Sequence, residues 1–210
     1  MAEMVEKGYK SATIERRLVS ISKAHVTAGL DDVTKSPIVK ETWAGIKRTI
    51  NTAQTAKSPV LTRDIKAMVT SLPDNLLGTR DRALLLVGFA GGFRRSELVA
   101  LNVEDLEFKR EGLVVTIRKS KTDQEGNGRK VGIPYGSNCD TCPVRSLQLW
   151  LEEGAIKEGP VFRAVNRHGH VQQGRLSDKS VALVVKRCAE AAGLDSSKYS
   201  GHSLRAGLAT

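Results

Sequence analysis

The string Gly201-His202-Ser203-Leu204-Arg205 sets a histidine and an arginine three positions apart where a helix is expected to begin. At that spacing the two side chains share one helical face. The opening turn of a helix also offers unpaired N–H groups that favour an anion. Far upstream, Gly92-Phe93-Arg94-Arg95-Ser96-Glu97-Leu98 follows an apolar run, and Ser120-Lys121-Thr122 lies between the two. A phosphodiester resists attack because its anionic oxygens repel a nucleophile and gain charge in the transition state. Guanidinium groups answer this with permanently charged, forked donors that a lysine cannot duplicate. An imidazole exchanges protons near neutral pH, and a lysine can protonate a leaving oxygen. Two arginines, a lysine and a histidine from these segments, with Arg94, Lys121, His202 and Arg205 as candidates, can thus form a positive, proton-transferring pocket for a phosphodiester.

Neighbouring residues compete for these roles. Arg95 is one position from Arg94, but one step along a helix turns a side chain by ~100°, so only one of the two can face a given ligand. Glu97 lies three residues after Arg94, where it either orients the guanidinium or remains a solvated carboxylate. Lys119 and Lys130 are rivals of Lys121 on a lysine-rich hairpin.

These strings, in this order, resemble the tyrosine recombinase (phage integrase) family. The resemblance covers most of the chain. It assigns Arg94 as the first catalytic arginine, Lys121 as the hairpin lysine and His202 with Arg205 as the H-x-x-R pair, and it leaves Arg95 structural or DNA-facing. It implies a helical core-binding domain and a mixed catalytic domain that clasp DNA, a 3′-phosphotyrosine intermediate, a synaptic tetramer, and no metal or nucleotide cofactor. The family's nucleophilic tyrosine follows H-x-x-R, and no tyrosine follows Arg205 in these 210 residues. The expectation is thus a chain shortened at both ends and inactive alone. Tyr199 precedes His202 and does not match the nucleophile; it reads as a packing residue. Alternatives are a noncatalytic DNA-binding remnant that regulates recombination sites, and a type IB topoisomerase-like enzyme.

The composition agrees with a polyanionic partner, here double-stranded DNA. Lys plus Arg number 33 against 23 acidic residues, a formal charge of +10, and nucleic acid is the commonest soluble polyanion. Aromatic residues make up only 4%, which argues against a platform that stacks single-stranded bases. No apolar run approaches the ~20 residues that a spanning helix needs, and Glu3, Glu6 and Lys7 interrupt any signal-peptide core. A cytoplasmic location without membrane contact is expected. Cys139 and Cys142 form a single C-x-x-C, with Cys188 far downstream. A zinc site would want two further ligands, for which only His168 and His170 could be recruited; the pair reads instead as a loop before a helix that starts near Pro143.

Periodicity supplies the frame. Residues 11–28 read as a helix with Ile14, Leu18 and Ile21 on one face. Ser36-Pro37 caps the next, along which Val39, Trp43, Ile46 and Ile50 recur. Lys40, Lys47 and Arg48 interleave with that stripe and are DNA-binding candidates, as are Arg95 and Lys119; a solvated face is the other reading. Residues 51–59 read as a linker. Helices are expected from Thr62 to about Ser71, from Thr79 through the apolar run 83–90 until Gly91-Gly92, and over 96–101. Residues 113–118 and 129–133 form a hairpin by their β-rich runs and intervening turn chemistry. Leu147, Trp150 and Leu151 mark a further helix, Val161-Phe162 a short strand, and 177–192 a helix with Val181, Val184, Val185 and Cys188 inward. The fold class is mainly α with a small β-sheet. Residues 1–57 would be a partial helical core-binding domain with its linker, and 58–210 a C-terminally truncated α+β catalytic domain.

Overall fold

The computed structural model describes residues 1–50, 57–119 and 128–208. The chain divides into two compact units, Met1–Ala56 and Lys57–Thr210.

In the first unit, α1 (Ala2–Glu6) precedes α2 (Ser11–Thr27) and α3 (Pro37–Thr49). Ser36 caps α3 by accepting the Val39 N–H, with proline at the first helical position. Val39, Trp43, Ile46 and Ile50 are half-buried, while Lys40, Lys47 and Arg48 are exposed. Ile14 is fully buried and Leu18 half-buried, but Ile21 is 44% exposed. The inner stripe of α2 passes instead through Ser22, whose hydroxyl donates to Asp32 Oδ2 at 2.6 Å. A polar partner thus replaces the apolar residue that periodicity selected. Helix α1 carried no apolar period and was not expected.

The second unit is organised around α5 (Leu76–Ala90), which packs against α4 (Thr62–Thr70), α6 (Arg95–Ala100), α7 (Pro143–Glu153), α8 (Asp178–Ala191) and α9 (Ser203–Leu208). Ala83, Leu84, Leu85, Leu86 and Val87 are buried in succession. Each Leu or Val so buried contributes roughly 1.5–3 kcal/mol. This helix starts at Leu76, not Thr79, because the Asn75 side chain accepts the Gly78 N–H at 2.9 Å. Arg80 and Asp81 lie inside the helix, where Asp81 Oδ1 accepts from Arg80 at 2.9 and 2.5 Å and its other oxygen accepts from Arg187 of α8.

Strands β1 (Leu106–Phe108), β2 (Gly112–Ile117) and β3 (Arg129–Pro134) form an antiparallel sheet in the order β1-β2-β3. Ile117 pairs with Arg129 and Leu113 with Ile133. The expected strand at Val161-Phe162 is not one. Both residues are fully buried, and their backbone groups are satisfied elsewhere: Val161 N–H donates to Leu101 O, and Trp150 Nε1 donates to Val161 O at 2.8 Å. The strands there are β4 (Arg163–Val165), half-buried, and β5 (Val171–Arg175), exposed after Val171, a hairpin too short to show alternation. Helix α8 buries Val181, Val184, Val185 and Cys188 as its stripe requires. No described helix is long and apolar enough to cross a membrane.

Candidate active site

Helix α5 ends at Gly91, and Gly92 turns the chain at φ +56°, a left-handed conformation that glycine adopts without penalty. Phe93 then anchors in the core at 1% exposure, and Arg94 arrives as the N-cap of α6. The Glu97 carboxylate closes this turn. Its Oε2 accepts the Arg94 backbone N–H at 2.9 Å, and its Oε1 accepts Arg94 Nη1 at 2.6 Å. Leu98 and Val99 fix the opposite face of α6 in the core. Its C-terminal carbonyls are held by Arg175 of β5, which donates to Val99 O at 2.5 Å and Leu101 O at 3.2 Å. A cation at a helix C-terminus is the favourable arrangement.

Helix α9 brings the second half of the site. Val60 N–H donates to Ser203 O at 2.9 Å, and Leu204 is buried against Gly88. Gly207 lies so close to the Val60 carbonyl that a Cβ would stand 1.9 Å from its oxygen. Docked in this way, α9 turns Arg205 Nη1 to Gly92 O at 2.9 Å and to within 4.0 Å of Glu97 Oε2. His202, exposed just before the helix, lines a cleft of about 530 Å³ with Gly91, Gly92, Arg129, Arg205, Ala206 and Leu208. His202 and Arg205 therefore share one concavity, and Arg94 is joined to Arg205 through one carboxylate. Lys121 lies outside the described residues.

Arg129 escaped the reading of the sequence. It donates from Nη2 to Glu97 Oε2 at 3.2 Å. Strand alternation held the signal: Arg129, Val131 and Ile133 share one face of β3, and Ile133 is buried. An arginine in the inward register of a strand needs a buried anion. Lys130 takes the other face. Glu97 is thus a carboxylate with 2% of its side chain exposed, approached by the guanidinium groups of Arg94, Arg129 and Arg205, which are 23%, 42% and 43% exposed. The arginines can reach a solvent-borne ligand; the carboxylate cannot. Among the described residues the cluster sets three guanidinium groups against one carboxylate.

The remaining candidates sit elsewhere. Arg95 reaches Asp178 of α8 at 3.5 Å, with its aliphatic stem against Gly201 in the turn before His202. Lys119 borders another cleft, of about 230 Å³, lined also by Glu97, Asp105 and Arg118. In the first unit, Lys47 Nζ stands 5.6 Å from the Trp43 ring centroid. Tyr199 is 8% exposed, and its hydroxyl donates to Asp64 Oδ2 at 3.3 Å. Burial, followed by the negative charge of Asp64, holds its phenol above the usual tyrosine range. The C-x-x-C is a turn into α7: Cys142 Sγ accepts the N–H groups of Gly136 and Arg145, while Cys139 is exposed. Among the described residues no group of three or more metal-ligating side chains occurs.

A helical frame, a small antiparallel sheet and a cluster of arginines beside a histidine define the class. Residues 60–210 match the model of the phage integrase family, and the chain belongs to that family of site-specific tyrosine recombinases. It is 41% identical over 205 residues to an integrase/recombinase xerD homolog of Selenomonas ruminantium, covering 96% of this chain and 60% of the relative. It is 30% identical over 216 residues to a tyrosine recombinase of Synechococcus elongatus, covering 97% of this chain and 59% of that protein. The chain therefore spans about three-fifths of the length of these relatives. The fold is similar to the Tn1549 transposon integrase, solved in complex with circular intermediate DNA, with a TM-score of 0.69 at 15% identity over 99% of this chain and 68% of the other.

Proposed function

We propose that this chain grips duplex DNA as part of a site-specific strand-exchange enzyme, with Arg94 and Arg205 holding the scissile phosphate. The observation that carries this reading is that His202 and Arg205 line one cleft while Arg205 and Arg94 both approach the Glu97 carboxylate. In the reaction a tyrosine oxygen attacks phosphorus and the P–O5′ bond breaks. The departing 5′ oxygen takes a proton, a role suited to Lys121, and His202 exchanges the tyrosine's proton. A 5′ hydroxyl from a partner strand then displaces the tyrosine and restores the diester, so bond energy is conserved without a metal or nucleotide cofactor. Residues 58–210 would serve as the catalytic domain. Residues 1–57 would add DNA contacts through Lys40, Lys47 and Arg48, and self-association would build the synaptic tetramer. An enzyme acting on DNA in this way would work in the cytoplasm.

For a polypeptide of these 210 residues alone, binding without cleavage is the favoured behaviour, because Tyr199 is buried on Asp64. The test measures binding to duplex DNA by fluorescence anisotropy over a salt series, and then looks for a covalent adduct on a nicked suicide substrate. Affinity in the nonspecific range of roughly 10⁻⁴ to 10⁻⁶ M, falling steeply with salt, is expected. An affinity indifferent to ionic strength ends the proposal.

A further inference from the structure

We infer that Arg129 is a third guanidinium ligand of the DNA phosphate, a substrate-binding residue shared between the sheet and the arginine pocket. The inference rests on the reading above that this cleft receives a phosphodiester. Arg129 lines the same cleft as His202 and Arg205. It is tied to the same Glu97 oxygen that Arg205 approaches, at 3.2 Å against 4.0 Å. Arg94 occupies the other carboxylate oxygen at 2.6 Å. One carboxylate thus sets the positions of three guanidinium groups drawn from a helix N-cap, a strand and a C-terminal helix.

The charge balance favours a ligand over a purely structural cluster. A structural ion pair needs one arginine for one carboxylate, whereas among the described residues the Glu97 carboxylate faces three guanidinium groups. Such an excess is costly unless a further anion joins it. Arg129 keeps 42% of its side chain accessible while its inner donor is fixed. A guanidinium carries five N–H donors in a rigid fork, so one edge can hold a carboxylate while another meets a phosphate oxygen. The backbone pairing of Arg129 with Ile117 fixes its starting point on the sheet, which lowers the entropy lost when it clamps a ligand.

The experiment uses the 210-residue protein and a short duplex DNA. Salt titrations compare the parent with Arg129→Ala and Arg129→Lys. The alanine variant is expected to lose roughly tenfold in affinity, as for one charged hydrogen-bonded contact, and to lower the slope of log K against log salt by about 0.9. The lysine variant should keep the slope and lose part of the affinity. In a parallel nitrogen-15 titration, the Arg129 Nε–Hε resonance, assigned by its loss in Arg129→Lys, should shift as DNA is added. A residue that only positions Glu97 would leave that resonance in place. A static resonance, or an unchanged slope in Arg129→Ala, overturns the inference while leaving the pocket of Arg94 and Arg205 standing. Absence of salt-dependent binding by the parent itself would overturn the functional reading and this inference together.

Discussion

Arg94 and Glu97 close a ring at the start of α6, in which the carboxylate accepts both the backbone N–H and the guanidinium of the same residue, at 2.9 and 2.6 Å. The ring fixes the arginine's backbone and its charged tip together, so in the proposed reaction the guanidinium would meet the phosphate without first being ordered. Because Glu97 also faces Arg129 and Arg205, its contribution exceeds that of an exposed i, i+3 pair.

Glu97→Gln keeps the shape and removes the charge. The three arginines then repel one another without a buried counter-ion. The arginines are partly solvated, which limits the loss, and destabilisation of about 2 kcal/mol is expected. Urea unfolding checks this as a lower midpoint with an unchanged m-value.

Gly207→Ala places a methyl group on the Val60 carbonyl, where only 1.9 Å is available. Helix α9 must shift or undock, at a cost of about 1–3 kcal/mol. Amide exchange should accelerate in α9 and remain slow in α5, and DNA affinity should fall as Arg205 leaves Gly92. Unchanged protection of α9 would show that the close approach is relieved by small adjustments elsewhere.

The frame and the candidate residues were unequally legible in the sequence. Helices α2, α3, α7 and α8 carried caps and apolar periods that local chemistry is sufficient to produce. The β4–β5 hairpin did not, because β4 has only three residues and β5 is exposed after Val171, too little apolar length for a period. Val161-Phe162 looked strand-like because it is apolar, yet its apolarity serves the core and its backbone is bonded to Leu101 and Trp150. At the site, the order of strings singled out Arg94, His202 and Arg205. Arg129 was obscure because its meaning depends on Glu97, 32 residues away, and pairing across such a distance leaves no local pattern.

Cys188 gives a pH-dependent expectation. Burial, followed by the nearby Asp81 charge, pushes its thiol up to about 12 from the ordinary 9.0. Between those values the unfolded chain has released a proton that the folded chain still holds, so stability is fully present below about 9 and falls as pH rises toward 12. Cys188→Ala should flatten this part of the decline, seen in urea midpoints at pH 8 and 10.5. At pH 8, iodoacetamide should modify the exposed Cys139 alone, since Cys142 and Cys188 are buried. Alkylation of Cys188 in the folded protein would show that its thiolate is accessible.

Tyr199 supplies the last expectation. A nucleophilic phenol must face the phosphate and release its proton, but this one is buried, donates to Asp64, and is held protonated by burial and that carboxylate. Tyr199→Phe should therefore cost about 1 kcal/mol of stability, the worth of one hydrogen bond, and leave DNA affinity unchanged. On a nicked suicide substrate neither the parent 210-residue polypeptide nor this variant should form a covalent adduct, because arginine donors stabilise a transition state only when a nucleophile opens the path to it. Extending the polypeptide beyond Arg205 with a tyrosine-bearing segment from a relative should allow the adduct to form. Arg94→Ala in that extended protein should then slow its formation by a factor of about 10² to 10³, as for loss of one preorganised donor. An adduct formed by the parent and abolished by Tyr199→Phe would instead make Tyr199 the nucleophile, and would require the Asp64 contact to break when DNA binds.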